Sequence, residues 1–184
     1  MIIGISGNAR VGKDSVAKIL ERVGYIHTAF ANPLKKHCSA LFGLTEEESS
    51  DEFKDIPLRR LGYRTPRQVW QEVGAFTRNI DPDIWVNKTF CGFVDQYDYV
   101  ISDVRYANEL ARIQSGKDSI VIRVESSLVR KGIPGGEHES EHSLPKDLKY
   151  DFTIYNNGTP EDLRKRVHTF VDYVASIRTK DVCI

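Results

Sequence analysis

Met1-Ile2-Ile3-Gly4-Ile5, running on into Gly7-Asn8-Ala9-Arg10-Val11-Gly12-Lys13-Asp14-Ser15, is an apolar run followed by a glycine-bracketed loop. Gly7 and Gly12 meet the G-x-x-x-x-G-K spacing, in which glycines let the backbone fold tightly and turn successive N–H groups toward an oxyanion. Lys13 adds a point charge suited to β- and γ-phosphates. Val16, Ile19 and Leu20 recur at helical spacing, so a helix begins where the loop ends and directs its positive end at the same phosphates. Strand, loop and helix in that order make Gly7, Asn8, Ala9, Arg10, Val11, Gly12, Lys13, Asp14 and Ser15 a candidate cradle for a nucleoside triphosphate. A chance glycine turn would not place a lysine at the start of an amphipathic helix directly after a strand of buried type. One position departs from the general pattern: Asp14 stands where Ser or Thr ordinarily serves Mg²⁺. A carboxylate there can ligate the metal and sits favourably on the helix dipole, whereas Ser15 lies one residue further round the helix and does not replace it.

Outward from the loop, Gly24 closes the first helix and Tyr25 to Phe30 reads as a second short strand. Pro33 suits a first helical turn, and Leu34, Cys38, Leu41 and Phe42 form an apolar face that Gly43 ends. Thr45 to Asp55 is acidic and polar, expected as a solvated connector or flap without chemistry. Thr65 as N-cap and Pro66 at the first position open a third helix, with Arg67, Gln71 and Arg78 at spacings that share a face. Asp81-Pro82-Asp83 is expected to cap a fourth helix holding Ile84, Trp85, Val86 and Phe90. Tyr99 to Asp103 is an extended run ending in an acid, and Arg105 to Ile113 has helical spacing. Ser119 to Val124 and Phe152 to Tyr155 read as further strands before a closing helix from Pro160 to about Ile177. Strands alternating with helices imply an α/β fold with a parallel sheet covered on both faces, and in such sheets ligands sit beyond the strands' C-terminal ends. That edge is expected to collect the phosphate loop, the Phe30 to Lys35 segment, Asp103 with Arg105, and the segment after Val124.

A chain of 184 residues is one domain by length and buries about 70% of its unfolded surface, enough for a core without staples. Its 26 basic and 26 acidic residues cancel, so overall charge argues for neither a nucleic acid polymer nor an anionic membrane as partner. Cys38, Cys91 and Cys183 are odd in number and unpatterned, which argues against a disulfide framework or a zinc cluster. The first apolar run is too short for a signal segment and no later stretch approaches a membrane span, so a cytoplasmic, soluble protein is expected.

Several blocks now line up in order after Gly12-Lys13-Asp14: Phe30-Ala31-Asn32-Pro33-Leu34-Lys35, Arg67-Gln68-Val69-Trp70-Gln71-Glu72-Val73-Gly74, Trp85-Val86, and Asp103-Val104-Arg105-Tyr106-Ala107-Asn108-Glu109. Together they resemble the phage-type deoxynucleoside monophosphate kinases over Ile2 to about Val167, and that family also carries Asp after its loop lysine. The resemblance implies a single P-loop kinase domain over residues 1–184, a three-layer sandwich with helices on both faces of the sheet, monophosphate-binding helices over about 33–94 and a lid over about 126–143. It implies transfer of the γ-phosphoryl of ATP, with Mg²⁺, to a deoxynucleoside monophosphate. A homodimer is an open possibility.

Such a reaction suits these residues, because a monophosphate oxygen is already ionised and needs no general base; alignment and charge neutralisation suffice. The assignments expected are Lys13 on the β/γ-phosphates and Asp14 with Asp103 around Mg²⁺. Arg105 and Lys35 are expected on the acceptor phosphate, with Glu109 orienting Arg105 from one turn on. Arg67, Gln71 and Arg78 would line the monophosphate pocket, and Phe30 or Trp85 would stack on the base, although core packing competes for both aromatics. Ser126 to Ser143, with Arg130 and Lys131, reads as a lid that excludes water and brings Arg130 onto the transferring group. Asn157, just past the strand ending at Tyr155, is the candidate for seating adenine.

His138-Glu139-Ser140-Glu141-His142 satisfies the H-E-x-x-H zinc pattern, but it lies between Gly135-Gly136 and Pro145 without apolar neighbours or a third ligand, and is assigned to the lid. Two other readings compete. A dephospho-coenzyme A or phosphomevalonate kinase type would keep the loop and change the acceptor. The other is a nucleotide-dependent switch or ATP-binding assembly protein, and the sequence speaks against it: a GTPase would want D-x-x-G and N-K-x-D, whereas Asp103 is followed by Val-Arg-Tyr and Asn87-Lys88 by Thr-Phe.

Overall fold

β-branched runs separated by amphipathic stretches produce a sheet in which every pairing is parallel. In the computed structural model, which describes residues 1–128, 144 and 148–181, five strands pair in the order β2-β3-β1-β4-β5. They are β1 (Ile2–Ser6), β2 (Ile26–Thr28), β3 (Tyr99–Ile101), β4 (Ser119–Glu125) and β5 (Phe152–Tyr155). β1 is central: Ile2 lies beside Tyr99 on one side and Ser119 on the other, and the register continues to Ser6 beside Arg123. Since all strands run the same way, Ser6, Thr28, Ile101, Glu125 and Tyr155 all end on one edge.

The two faces are dressed differently. Ile3 and Ile5 are fully buried against Val16, Ala17 and Leu20 of α1 (Lys13–Arg22) and Leu163, Val167 and Phe170 of α6 (Pro160–Asp181). Ile120, Ile122, Val124 and Ile154 point to the same side and complete that core. Gly4 points the other way: a Cβ there would stand 2.8 Å from Ile113 Cδ1, so glycine is what lets α5 (Ala107–Gln114) lie close on the opposite face. Helices on both faces of a parallel sheet are the expected three-layer α/β arrangement. α5 starts at Ala107 and not at Arg105, because the extended run continues past β3, with Val104 N–H donating to Ile5 O at 3.1 Å.

Contacts divide the chain into two compact units, Met1–Ala29 with Val94–Ile184, and Phe30–Phe93. The sheet belongs to the first. The second contains α2 (Ala31–Phe42), a 3₁₀ turn (Arg59–Leu61), α3 (Pro66–Ile80) and α4 (Ile84–Phe90), built round Leu34, Cys38, Leu44, Val69, Trp70 and Trp85. α2 begins at Ala31, which leaves Pro33 inside the first turn, where a missing N–H costs no helical bond. Gly43, at φ 62°, ends it in the left-handed conformation. α3 has the expected cap and more: Thr65 Oγ1 accepts from Gln68 N–H at 3.1 Å while Thr65 N–H donates to Gln68 Oε1 at 2.8 Å. Asp83 precedes α4, but its side chain caps nothing; its N–H instead donates to Asp81 Oδ1 at 2.9 Å.

The acidic 45–55 stretch is exposed yet tied down. Arg60 grips both oxygens of Glu48 at 2.5 and 2.6 Å, and this guanidinium, with the Thr45 N–H, draws the Glu48 carboxyl down to about 2. Lys54 pairs with Asp51, and Arg67 with Asp55. No helix among the described residues is long and apolar enough to cross a membrane.

At the sheet's opposite end, Asp98 accepts from the Met1 ammonium at 2.6 Å and from Arg178 Nη2 at 2.7 and 2.8 Å. Burial pushes its carboxyl upward, but the ammonium and guanidinium outweigh that and hold it below its ordinary 3.8. A carboxyl lowered in the folded state stabilises above its unfolded pKa, and the benefit disappears as pH falls through the folded value. Asp98→Asn is therefore expected to lower the melting temperature at pH 7, with the gap from wild type closing as the pH falls below about 4; thermal melts across pH check this. Phe170→Ala, in the fully buried core, is expected to cost about 3–5 kcal/mol in urea denaturation.

Candidate nucleotide site

Between β1 and α1 the chain turns through conformations that only small or unhindered residues accept easily. Gly7 sits at φ 148°, and a Cβ on it would come 2.4 Å from Val124 O, so the loop can hug the end of β4 only with glycine here. Gly12, at φ 101°, is the N-cap of α1 and supplies its first carbonyl, which accepts from Val16 N–H at 3.0 Å. Glycine has no side chain with which to cap, so α1's first-turn N–H groups are directed out of the helix end toward the loop. Lys13 is 8% exposed, and its Nζ donates to Gly7 O at 2.7 Å and Asn8 O at 2.8 Å. The ammonium is thus folded back across the loop. Asp14 and Ser15 are exposed on the first turn, with Asp14 on the favourable end of the helix dipole.

Next to this loop lies a cavity of about 280 Å³ whose walls include Asn8, Val11, Arg123, Glu125, Tyr155 and Asn157. Asn157 therefore lines the hollow beside the loop, with Oδ1 accepting from Ser127 N–H at 2.8 Å. Its neighbour Asn156 reaches the loop itself: Nδ2 donates to Val11 O at 3.0 Å. Arg123, the register partner of Ser6, donates from Nε to Glu125 Oε1 at 2.7 Å and from Nη1 to the Tyr150 hydroxyl at 3.2 Å. Burial would lower the Arg123 pKa, but these two partners outweigh it and raise it. Sequence reading passed over both Asn156 and Arg123. The available signal for Arg123 was a charged residue interrupting an apolar strand two positions before its C-terminal end.

On the other side of β1, Ser102 N–H donates to Thr28 O at 3.1 Å, and Asp103 follows, half-buried, past the end of β3. Glu109 is 3% exposed, and its Oε2 accepts from the backbone N–H of Arg105 at 2.8 Å and of Tyr106 at 3.0 Å. Through these two bonds Glu109 holds the Arg105 backbone at the start of α5. The loop, Asp103 with Arg105, and Asn157 accordingly all belong to the unit that carries the sheet.

The remaining candidates belong to the helical unit. Arg67, Gln71 and Arg78 recur along α3 at offsets that place them on one stripe, and Gly74 lies between them, with an Arg78 nitrogen 3.0 Å from where its Cβ would be. Arg67 forks onto Asp55 at 2.5 and 3.0 Å, and Lys35 Nζ lies 5.0 Å from the centroid of Trp70. Phe30 and Trp85 require a correction. Phe30 is 2% exposed and stacked on Phe90, and Trp85 is 4% exposed, with Nε1 donating to Thr77 Oγ1 at 3.0 Å. A base-stacking platform needs an open ring face, and packing has taken both. Arg130, Lys131 and the His138 to His142 pattern lie outside the described residues, as does most of the expected lid; among the described residues no three His, Cys, Asp or Glu side chains gather into a metal-holding group.

No family model matches the chain. A protein of Acanthamoeba polyphaga mimivirus described as "Putative deoxynucleotide monophosphate kinase" is 32% identical over 191 aligned positions, which cover 94% of this chain and 96% of the relative. Among solved structures, dephospho-CoA kinase from Campylobacter jejuni superposes with a TM-score of 0.51 at 13% identity, covering 94% of this chain and 96% of that one. TT1252 from Thermus thermophilus gives a TM-score of 0.49 at 17% identity over 94% and 97%. The Campylobacter structure supports the fold alone, whereas the near full-length viral relative supports kinship. With a phosphate loop on a parallel sheet and that kinship together, the chain belongs to the deoxynucleotide monophosphate kinase family of phosphotransferases.

Proposed function

We propose that the protein transfers the γ-phosphoryl group of ATP to a deoxynucleoside monophosphate, giving ADP and the deoxynucleoside diphosphate. The observation that carries this reading is Lys13, folded across the Gly7 and Asn8 carbonyls at the N-terminus of α1. An ammonium at that place, with helical N–H groups behind it, suits a chain of phosphates and little else. Family membership then selects the acceptor. An ionised oxygen of the acceptor phosphate attacks the γ-phosphorus in line, and the bond to the β–γ bridging oxygen breaks, its electron pair leaving with ADP.

Each group has a role in that displacement. Lys13 exchanges its carbonyl partners for β- and γ-phosphate oxygens and neutralises charge that grows on the leaving side. Asp14, an exposed carboxylate on the first turn of α1, and Asp103, past the end of β3, are hard oxygen donors that fit Mg²⁺. Bound there, the metal would offset phosphate charge. Arg105 and Lys35 hold the acceptor phosphate; Arg67, Gln71 and Arg78 line the acceptor's pocket; Asn157 seats the donor base in the cavity beside the loop. Residues 1–184 act as one kinase domain; Arg130 and most of the lid expected over about 126–143 lie outside the described residues. The same reading makes this a soluble cytoplasmic enzyme of small molecules, with neither nucleic acid polymers nor membranes as partners, whether monomer or homodimer.

A coupled ADP-release assay across the deoxy- and ribonucleoside monophosphates, with dephospho-coenzyme A and phosphomevalonate as further acceptors, tests the reading. At least one deoxynucleoside monophosphate is expected to stimulate turnover, and Lys13→Ala to reduce it by roughly 10²–10³-fold. Stimulation by the other acceptors alone, or turnover retained without Lys13, overturns it. Arg67→Lys keeps the charge but loses the planar fork, and is expected to raise the acceptor KM about 10-fold while leaving the KM for ATP unchanged.

A further inference from the structure

The geometry points to Asn156 as a positioning residue for the phosphate loop: by holding the Val11 carbonyl it sets the peptide plane from which Gly12 presents its N–H to phosphate. This rests on the reading of residues 7–15 as a triphosphate site. Asn156 Nδ2 lies 3.0 Å from Val11 O, and because a carbonyl can only accept, the contact assigns the amide with its nitrogen toward the loop. In a trans peptide the C=O and the following N–H point in opposite directions. Drawing Val11 O toward Asn156 therefore points Gly12 N–H from the opposite edge of that plane, away from Asn156.

Two further observations make this a built contact. Gly12 is where the amide and the loop come closest: a Cβ on it would stand 2.4 Å from Asn156 Nδ2, so only glycine admits the amide at this distance. Asn156 is itself fixed from behind, its N–H donating to Glu125 O at 2.7 Å and its carbonyl accepting from Ser126 Oγ at 2.7 Å. The side chain thus projects from a turn anchored to the end of β4, while Asn157, one residue on, lines the neighbouring cavity. Adjacent residues of one turn have different roles: Asn157 faces the base side and Asn156 supports the phosphate side.

The test uses the full chain and three probes with Mg²⁺ present: ATP, inorganic tripolyphosphate and adenosine, each titrated calorimetrically or by NMR. In Asn156→Ala, ATP and tripolyphosphate are expected to weaken by the same factor, about 10-fold for one lost, partly buried hydrogen bond, with adenosine unchanged. Asn156→Asp, which is isosteric but cannot donate to Val11 O, is expected to weaken both phosphate probes further. In turnover the KM for ATP should rise and that of the acceptor should not. Unchanged tripolyphosphate binding in both variants overturns the inference, as does a loss confined to ATP and adenosine, which would make Asn156 a base contact. Should Asn156→Ala not fold, as judged by circular dichroism, Asn156→Asp and Asn156→Ser carry the same comparison. Wild-type protein that binds tripolyphosphate yet phosphorylates no deoxynucleoside monophosphate would remove the proposed function and leave this inference to the binding ratios; wild-type protein that binds no phosphate probe removes both.

Discussion

A charged ammonium that is nine-tenths buried has to be paid for, and most of the loop's architecture serves the Lys13 ammonium. Desolvating an unpartnered charge would cost several kcal/mol, so it must find acceptors. Gly7 O and Asn8 O supply them, but only because Gly7 lets the backbone pass within contact of Val124 O. That close approach in turn needs β1 paired directly with β4, which places Val124 beside the loop. The lysine, the glycine and the strand order are one constraint seen at three scales. The bonds to neutral carbonyls are also weaker than those a phosphate would offer the same ammonium, so the arrangement is stable without ligand and biased toward exchange.

The parallel sheet extends this logic to the rest of the first unit. Gly4 lets α5 close on one face while Ile3 and Ile5 hold α1 and α6 on the other, so the three helices start from a rigid edge. At that edge, backbone donors are handed between segments: Ser102 N–H to Thr28 O, Val104 N–H to Ile5 O, Asn156 N–H to Glu125 O. Each fixes where a functional segment leaves its strand. Glu109 does the same with a side chain, taking two backbone N–H groups at the start of α5. Because these bonds are to backbone, Asp103 and Arg105 are held where they are by their own main chain, independent of what their side chains engage.

What could be read in the sequence was what depends on local spacing. The loop and helix at residues 7–22, the Thr65–Pro66 start of α3 and the strand at Phe152–Tyr155 all carry period or cap signals within a few residues, and all appear where expected. What depends on packing or on long-range pairing could not be read. Phe30 and Trp85 look the same in sequence whether a ring faces a base or a core, and burial against Phe90 and the α2–α3 core decided the matter. Asn156 and Asn157 differ by one position in a turn, where neither helical nor strand period says which side chain points at a loop 145 residues away. Arg123 carried a signal, a charge within an apolar strand, but strand alternation gives a face and does not say that the residue borders the loop.

The acidic 45–55 stretch shows how a pair distant in sequence alters the meaning of a candidate residue. Arg67 is spaced for the shared stripe of α3, yet its fork is on Asp55, with the two side chains 29% and 45% exposed. An ion pair this open to water contributes little to stability, about 0–1 kcal/mol, and the Arg67 N–H donating to Lys54 O at 3.0 Å joins the stretch to α3 without it. The carboxylate instead fixes the orientation of the planar guanidinium, whose Nε and Nη2 donors are paired as a phosphate would pair them. Replacing one oxyanion by another at the same fork gives up little and regains a doubly charged partner. If Arg67 lines the acceptor's pocket as proposed, Asp55 is the group that an oxyanion of the substrate displaces, and the weakness of their pairing is what makes that exchange favourable.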